Sequence, residues 1–201
     1  MIRIWLFGTV LLLASLPAAA VDCDPPEVLP DNLFPSVKLE TSMGDIVVEL
    51  NRRRAPASSN NFLRYVLDGL YDNTIFHRVI PEFVIQGGGY DKDFNERPTF
   101  PAVINESGNG LKNSQWTIAM ARFEDPHSAK AQFYFNLQDN DNLDPSSRRW
   151  GYTVFGDVIE GQEVLQKIAV VKTHYSSLLD APDVPESPVT LNRATVLPAD
   201  Y

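Results

Sequence analysis

An arginine in a half-buried strand is the first residue of this chain that invites chemistry. Residues 76–88 read Phe-His-Arg-Val-Ile-Pro-Glu-Phe-Val-Ile-Gln-Gly-Gly. Strand alternation sets Arg78 beside apolar side chains, and a turn at Pro81-Glu82 brings Phe83 and Gln86 near it. A guanidinium stays charged at any ordinary pH and offers five N–H donors. Such a group can donate several hydrogen bonds to a bound molecule. The same spacing is also ordinary for a surface arginine whose stem lies on apolar neighbours while its head stays wet. Spacing alone favours the surface reading.

Other chemistries find less support. His77, His127 and His174 show no metal-ligand spacing, and the single cysteine, Cys23, excludes a Cys-based zinc site and an internal disulfide framework. No Gly-x-Ser-x-Gly elbow and no phosphate-binding Gly-x-x-x-x-Gly-Lys loop occurs. Gly87-Gly88-Gly89 is read as a turn rather than a phosphate cradle, because no helix pattern or lysine follows it. Asn105-Glu106-Ser107 matches a glycosylation sequon, which matters only in a eukaryotic secretory pathway. No metal or cofactor is expected.

The elements that position Arg78 follow from patterning. Val37–Thr41 alternates as a strand, residues 42–45 turn, and Ile46–Leu50 returns. Pro56 suits the first turn of a helix that carries Phe62, Leu63, Val66, Leu67 and Leu70 at helical spacing, with Gly69 near its end. Short apolar runs follow at 74–79, 83–86, 116–121, 133–137 and 152–159, then a second helix over 162–169 and a last strand over 189–197. Many short strands with two helices suggest a closed antiparallel barrel, since closure removes exposed edges. Periodicity alone fits a β-sandwich nearly as well.

The chain has 201 residues, with 17 Lys and Arg against 26 Asp and Glu, a formal charge of −9. That disfavours nucleic acid or an anionic membrane as the main partner. Hydrophobic residues at 44% and charged residues at 21% describe a globular chain, long enough for one domain with a sizeable core. Residues 1–20 read as a signal peptide. Arg3 gives the positive start, Ile4–Leu16 is apolar but too short to span a bilayer, and Ala18-Ala19-Ala20 offers a cleavage site. The expected product begins at Val21 with a charge of −10, without stable membrane insertion, and is periplasmic if the source is a Gram-negative bacterium. Residues 21–35, with Pro25, Pro26, Pro30 and Pro35 among acids, are expected to be an extended, solvated, Pro-rich leader. The domain is placed at 36–198.

The string from Phe76 to Gly88 resembles the signature of the cyclophilin family of peptidyl-prolyl cis-trans isomerases. Further blocks agree: Thr117-Ile-Ala-Met-Ala-Arg122, Asp125-Pro-His-Ser-Ala129, Ala131-Gln-Phe-Tyr-Phe-Asn136 and Gly151-Tyr-Thr-Val-Phe-Gly156. The resemblance runs from about Val37 to Leu197 and is closest to the exported bacterial branch. It implies a mostly β fold, a closed eight-stranded antiparallel β-barrel capped by two α-helices. It also implies an isomerase that accelerates rotation about X-Pro bonds, acts on proline-containing polypeptides and assists folding of exported proteins.

By the same resemblance Arg78 matches the catalytic arginine, and Gln86 the glutamine beside it. Phe83, Val84, Tyr134 and Leu143 match the pocket that grips proline, Ala121 and Gln132 match residues that bind the peptide backbone, and Tyr152 matches a position that is Tyr in bacterial members. His77 lies in the motif and is read as structural. The chain departs from the family pattern at four places. Val84 stands where Met is common, Tyr134 where Phe is usual, Asn142 where an aromatic helps bind cyclosporin, and Trp116 where Gly is common. A buried Tyr134 hydroxyl would need a partner. Trp116 is expected to pack on the barrel, and weak cyclosporin inhibition is expected.

Two other functions are weighed against the isomerase. One is a proline-peptide-binding chaperone module of the same fold with little turnover, for which the changes at Val84 and Asn142 leave room. The other is a small-ligand carrier barrel, which requires a large internal cavity. Without a long heptad pattern or a broad apolar stripe, the chain is expected to be a monomer.

Overall fold

A computed structural model of the chain describes residues 28, 29 and 31–199. The expected signal peptide, its cleavage after Ala20 and Cys23 lie outside these residues. Alternation does most of the work in the first hairpin. β1 (Ser36–Thr41) buries Val37 and Leu39, and β2 (Gly44–Leu50) buries Ile46, Val48 and Leu50 on the same side. The strands then follow as β3 (Thr74–Ile80), β4 (Val84–Asp91), β5 (Thr117–Met120), β6 (Phe133–Asn136), β7 (Val154–Glu160), β8 (Thr173–Ser176), β9 (Ala181–Pro185) and β10 (Val189–Val196). Eight of them close an antiparallel barrel in the order β1-β10-β3-β4-β6-β5-β7-β2, and β8 and β9 form a separate two-stranded sheet. The barrel was expected; the β8–β9 hairpin was not, because its burial does not alternate cleanly along either strand.

Two helices pack on the barrel. α1 (Pro56–Leu67) lies against β7 and β10, and α2 (Gln162–Ile168) against β2. Pro56 opens α1 as expected, but Ala55 supplies no side-chain cap. Glu106 does so from a distant loop, accepting from the amides of Ala57 and Ser58 at 3.0 and 2.9 Å and from the Ser58 hydroxyl at 2.8 Å. A carboxylate at a helix N-terminus satisfies orphan donors and opposes the helix dipole. Phe62, Leu63 and Val66 face the core, whereas Leu67 is 54% exposed and Leu70 lies past the helix end. Gly69 follows at φ +64°, the left-handed conformation that ends helices.

The barrel interior is solid. Phe62 meets Tyr71, Phe133 and Phe155 with ring centroids 5.0–5.4 Å apart, and Phe76 and Phe135 extend the cluster. Aromatic packing of this kind leaves no room for a carried ligand, which sets the carrier-barrel reading aside. Two local expectations are corrected. Gly87-Gly88-Gly89 is not a turn but part of β4. The end of the expected solvated leader is docked: Val28 packs against the core, the Leu29 carbonyl accepts from the Arg52 guanidinium, and the amides of Leu50 and Arg52 donate to Pro35 and Leu33.

Candidate active site

The position of Arg78 depends on one extra residue. Strict alternation along β3 would turn Phe76 and Arg78 to the same side, and Phe76 is buried in the barrel core. The register shifts between them: Phe76 pairs with Gly87 and Arg78 with Gln86, so two steps on β3 answer one on β4. This bulge at His77 moves Arg78 to the outer face. It also restores inward packing at Val79, which pairs with Ile85. Gly87 is required beneath it, since a Cβ there would lie 2.7 Å from the Phe76 ring.

On that outer face Arg78, Gln86, Tyr134, Ala119 and Val154 are successive cross-strand partners over β3, β4, β6, β5 and β7. Val84, Ala119, Tyr134 and Val154 form a small apolar cluster of their own, against which Phe83, Ala121, Leu143 and Tyr152 pack. The cluster floors an open groove of about 780 Å³. All nine residues carried over from the resemblance line it: Arg78, Phe83, Val84, Gln86, Ala121, Gln132, Tyr134, Leu143 and Tyr152. Asn142 is exposed and does not line it. Trp116 packs against the barrel core as expected, at a φ of +67°.

Each lining residue is held by identifiable bonds. The hairpin turn before β4 closes through the Phe83 amide to Ile80, and the Phe83 carbonyl accepts from the Leu137 amide and from the Asn140 side chain. The Gln86 amide donates to Gln132 Oε1 at 2.7 Å, so Gln86 is fastened across the groove to Gln132 rather than to Arg78. The Gln132 side chain lies directly on Gly89, where a Cβ would come within 2.6 Å of it. The Ala121 amide donates to the Gln132 carbonyl at 2.9 Å. Tyr152 meets Tyr134 edge-on at 5.9 Å and carries the Arg122 guanidinium 4.5 Å above its ring.

Beneath the groove runs a buried polar network without a local sequence signal. Tyr134 is 4% exposed and donates its hydroxyl to Asn113 Oδ1 at 2.7 Å. Asn113 also accepts from Asn136, and donates to Asp144 through both its amide and its side chain and to the Tyr152 carbonyl. Asp144 is paired with Lys112 at 3.0 Å. Burial alone would raise the Asp144 pKa, but the bonds from Asn113 and the Lys112 charge outweigh it and lower it. Burial drives the Tyr134 hydroxyl well above its ordinary value, so it remains a donor. His77 is 7% exposed, meets Tyr90 edge-on at 4.8 Å, and has its pKa lowered to about 4, first by burial and then by the adjacent Arg78 charge. Asn113, Asn140 and Asp144 were not anticipated; the one available signal was the buried Tyr134 hydroxyl, which demands a partner. Among the described residues no group of three or more His, Cys, Asp or Glu could hold a metal.

The chain is similar to known proteins over nearly all of the described residues. A family model described as cyclophilin type peptidyl-prolyl cis-trans isomerase/CLD matches residues 36–196. The chain is 50% identical over 165 residues to peptidyl-prolyl cis-trans isomerase cyp18 of Streptomyces antibioticus, covering 81% of this chain and 98% of that protein. It is 45% identical over 163 residues to peptidyl-prolyl cis-trans isomerase B of Escherichia coli (strain K12), covering 80% and 98%. A solved cyclophilin-type isomerase from Cryptosporidium parvum, crystallised in the presence of the dipeptide Ala-Pro, matches with a TM-score of 0.64 at 25% identity over 81% of this chain and 99% of that one.

Proposed function

The chain belongs to the cyclophilin-type peptidyl-prolyl cis-trans isomerases, and from that premise we propose that it accelerates X-Pro rotation in exported polypeptides, with Arg78 as the catalytic residue. Rotation about a peptide bond faces a barrier of ~18–20 kcal/mol set by amide resonance, and X-Pro isomerisation unaided takes roughly tens to hundreds of seconds. No bond breaks, so no nucleophile, metal or cofactor is required. As the bond twists, the proline nitrogen pyramidalises and gains a lone pair. The Arg78 guanidinium donates to that nitrogen, and to the proline carbonyl, while keeping its charge. Phe83, Val84, Tyr134 and Leu143 grip the pyrrolidine ring by apolar contact, and backbone groups near Ala121 and Gln132 hold the substrate chain. Such contacts favour the twisted amide over both planar forms.

The observation that carries this reading is the transverse row in which Arg78, Gln86 and Tyr134 are cross-strand neighbours at an apolar pocket. The export half of the proposal is supported by the apolar run after Arg3 and the small residues before Val21; the compartment is the periplasm if the source is Gram-negative. The test is a proline-isomerisation assay on residues 21–201 beside Arg78→Ala, with circular dichroism on both. Turnover is expected to fall by about a hundredfold or more in a folded variant, the effect of removing one preorganised donor. A folded wild type that accelerates nothing would leave the proline-peptide-binding module as the reading.

A further inference from the structure

The groove is basic in an acidic protein. Acids outnumber bases 26 to 17 over the whole chain. Of the five residues lining the groove whose side chains carry a formal charge, four are basic, Arg78, Arg97, Arg122 and Lys130, and only Glu96 is acidic. His77 is neutral there at neutral pH, its pKa being about 4.

Among the described residues these cations form no ion pair with a carboxylate. Among the described residues the ion pairs join Lys38 to Glu40 and Asp45, and Lys112 to Asp144, all with other lysines. The Nε of Arg97 is buried without a hydrogen-bond partner. Asp91 feels the Arg97 charge, but its carboxylate is occupied by the side chain and amide of Asn95 and the amide of Asp93. Arg122 is fixed by the carbonyls of Phe123, Glu124, Trp150 and Gly151, which orient the guanidinium without neutralising it.

A cleft lined mainly by one sign of charge focuses field and raises the local concentration of the opposite charge. Resting on the isomerase reading above, we propose that the groove selects acidic polypeptides: its preferred substrates carry Asp or Glu within a few residues of the proline, contacted by Arg97 and Lys130. Arg78 is reserved for the reacting amide, and Arg122 for the Tyr152 ring.

The experiment compares peptides of one length with Ala, Glu or Lys placed in turn at each of two positions before and after the X-Pro pair, at about 20 mM and about 500 mM salt. At low salt the Glu peptide is expected to exceed the Lys peptide in kcat/KM by about fivefold at one or more positions, the scale of two partly exposed charge pairs. High salt should draw the ratio towards one. The Arg97→Gln, Lys130→Gln double variant should lower the ratio at low salt, with the Ala peptide as its control for folding and turnover. Equal rates for Glu and Lys at every position, or a preference for Lys, would overturn the proposal. If the wild type fails to accelerate the Ala peptide, the isomerase reading falls instead, and binding affinities for the same peptides then decide the charge preference by itself.

Discussion

The hydroxyl of Tyr134 donates to Oδ1 of Asn113 at 2.7 Å beneath the floor of the groove. The same asparagine reaches the Tyr152 carbonyl and the carboxylate of Asp144, the residue after Leu143. One buried residue therefore ties together Tyr134, Tyr152 and the segment that carries Leu143, all of which line the groove.

That hub predicts a non-additive pair. Tyr134→Phe removes one donor while Asn136 still serves Asn113, and is expected to cost about 1 kcal/mol. Asn113→Ala strands the Tyr134 hydroxyl and removes the side-chain bonds to Asp144 and to the Tyr152 carbonyl, leaving the backbone amide bond to Asp144, and is expected to cost about 3 kcal/mol. Adding Tyr134→Phe to Asn113→Ala should recover part of that loss, because the stranded hydroxyl is gone. Urea denaturation of the four proteins measures the coupling; strict additivity would mean that the bond carries no energy.

His77 predicts the acid limb of stability. Its folded pKa, about 4, lies below the unfolded value of about 6.5. The unfolded chain therefore takes up a proton first as pH falls, and stability should decline between about pH 6.5 and about pH 4, by roughly 3 kcal/mol in all. Unfolding midpoints at two pH values, for wild type and His77→Gln, isolate this contribution; the variant should lose it. Activity should stay nearly flat from about pH 6 to 8, since no proposed catalytic group titrates there. A bell-shaped rate profile would remove Arg78 from its role.

Trp116 sits at φ +67°, where a side chain other than glycine is strained. Truncation to Ala loses the packing and keeps the strain, while truncation to Gly loses both. Trp116→Gly is therefore expected to be more stable than Trp116→Ala by about 1 kcal/mol, the reverse of the order in ordinary backbone. Thermal melts of the pair decide it.

Asn142, exposed and next to the groove-lining Leu143, stands where the resemblance to the family leads one to expect an aromatic. Inhibition by cyclosporin is expected to be weak, and Asn142→Trp should strengthen it. Tight inhibition of the unaltered protein in a titration would refute this.

Much of this molecule is local and therefore legible. Alternation announced β1 and β2 through Val37, Leu39, Ile46 and Val48, Pro56 announced the start of α1, and the ordered blocks around Arg78 and Gln132 announced the pocket residues. Such signals reside in neighbouring residues, because period and turn chemistry act over a few positions.

Tertiary structure decided what depends on distant partners. Alternation taken literally would send Arg78 into the core beside Phe76; the bulge at His77 is selected only because β4 offers Gly87 opposite the Phe76 ring. Glu106 caps α1 from 48 residues away, and Asn113 meets Tyr134 across 21. No local pattern encodes such pairs. They form because closing the barrel buries polar groups whose water has been removed, and each buried donor or acceptor must find whatever partner the fold brings within reach.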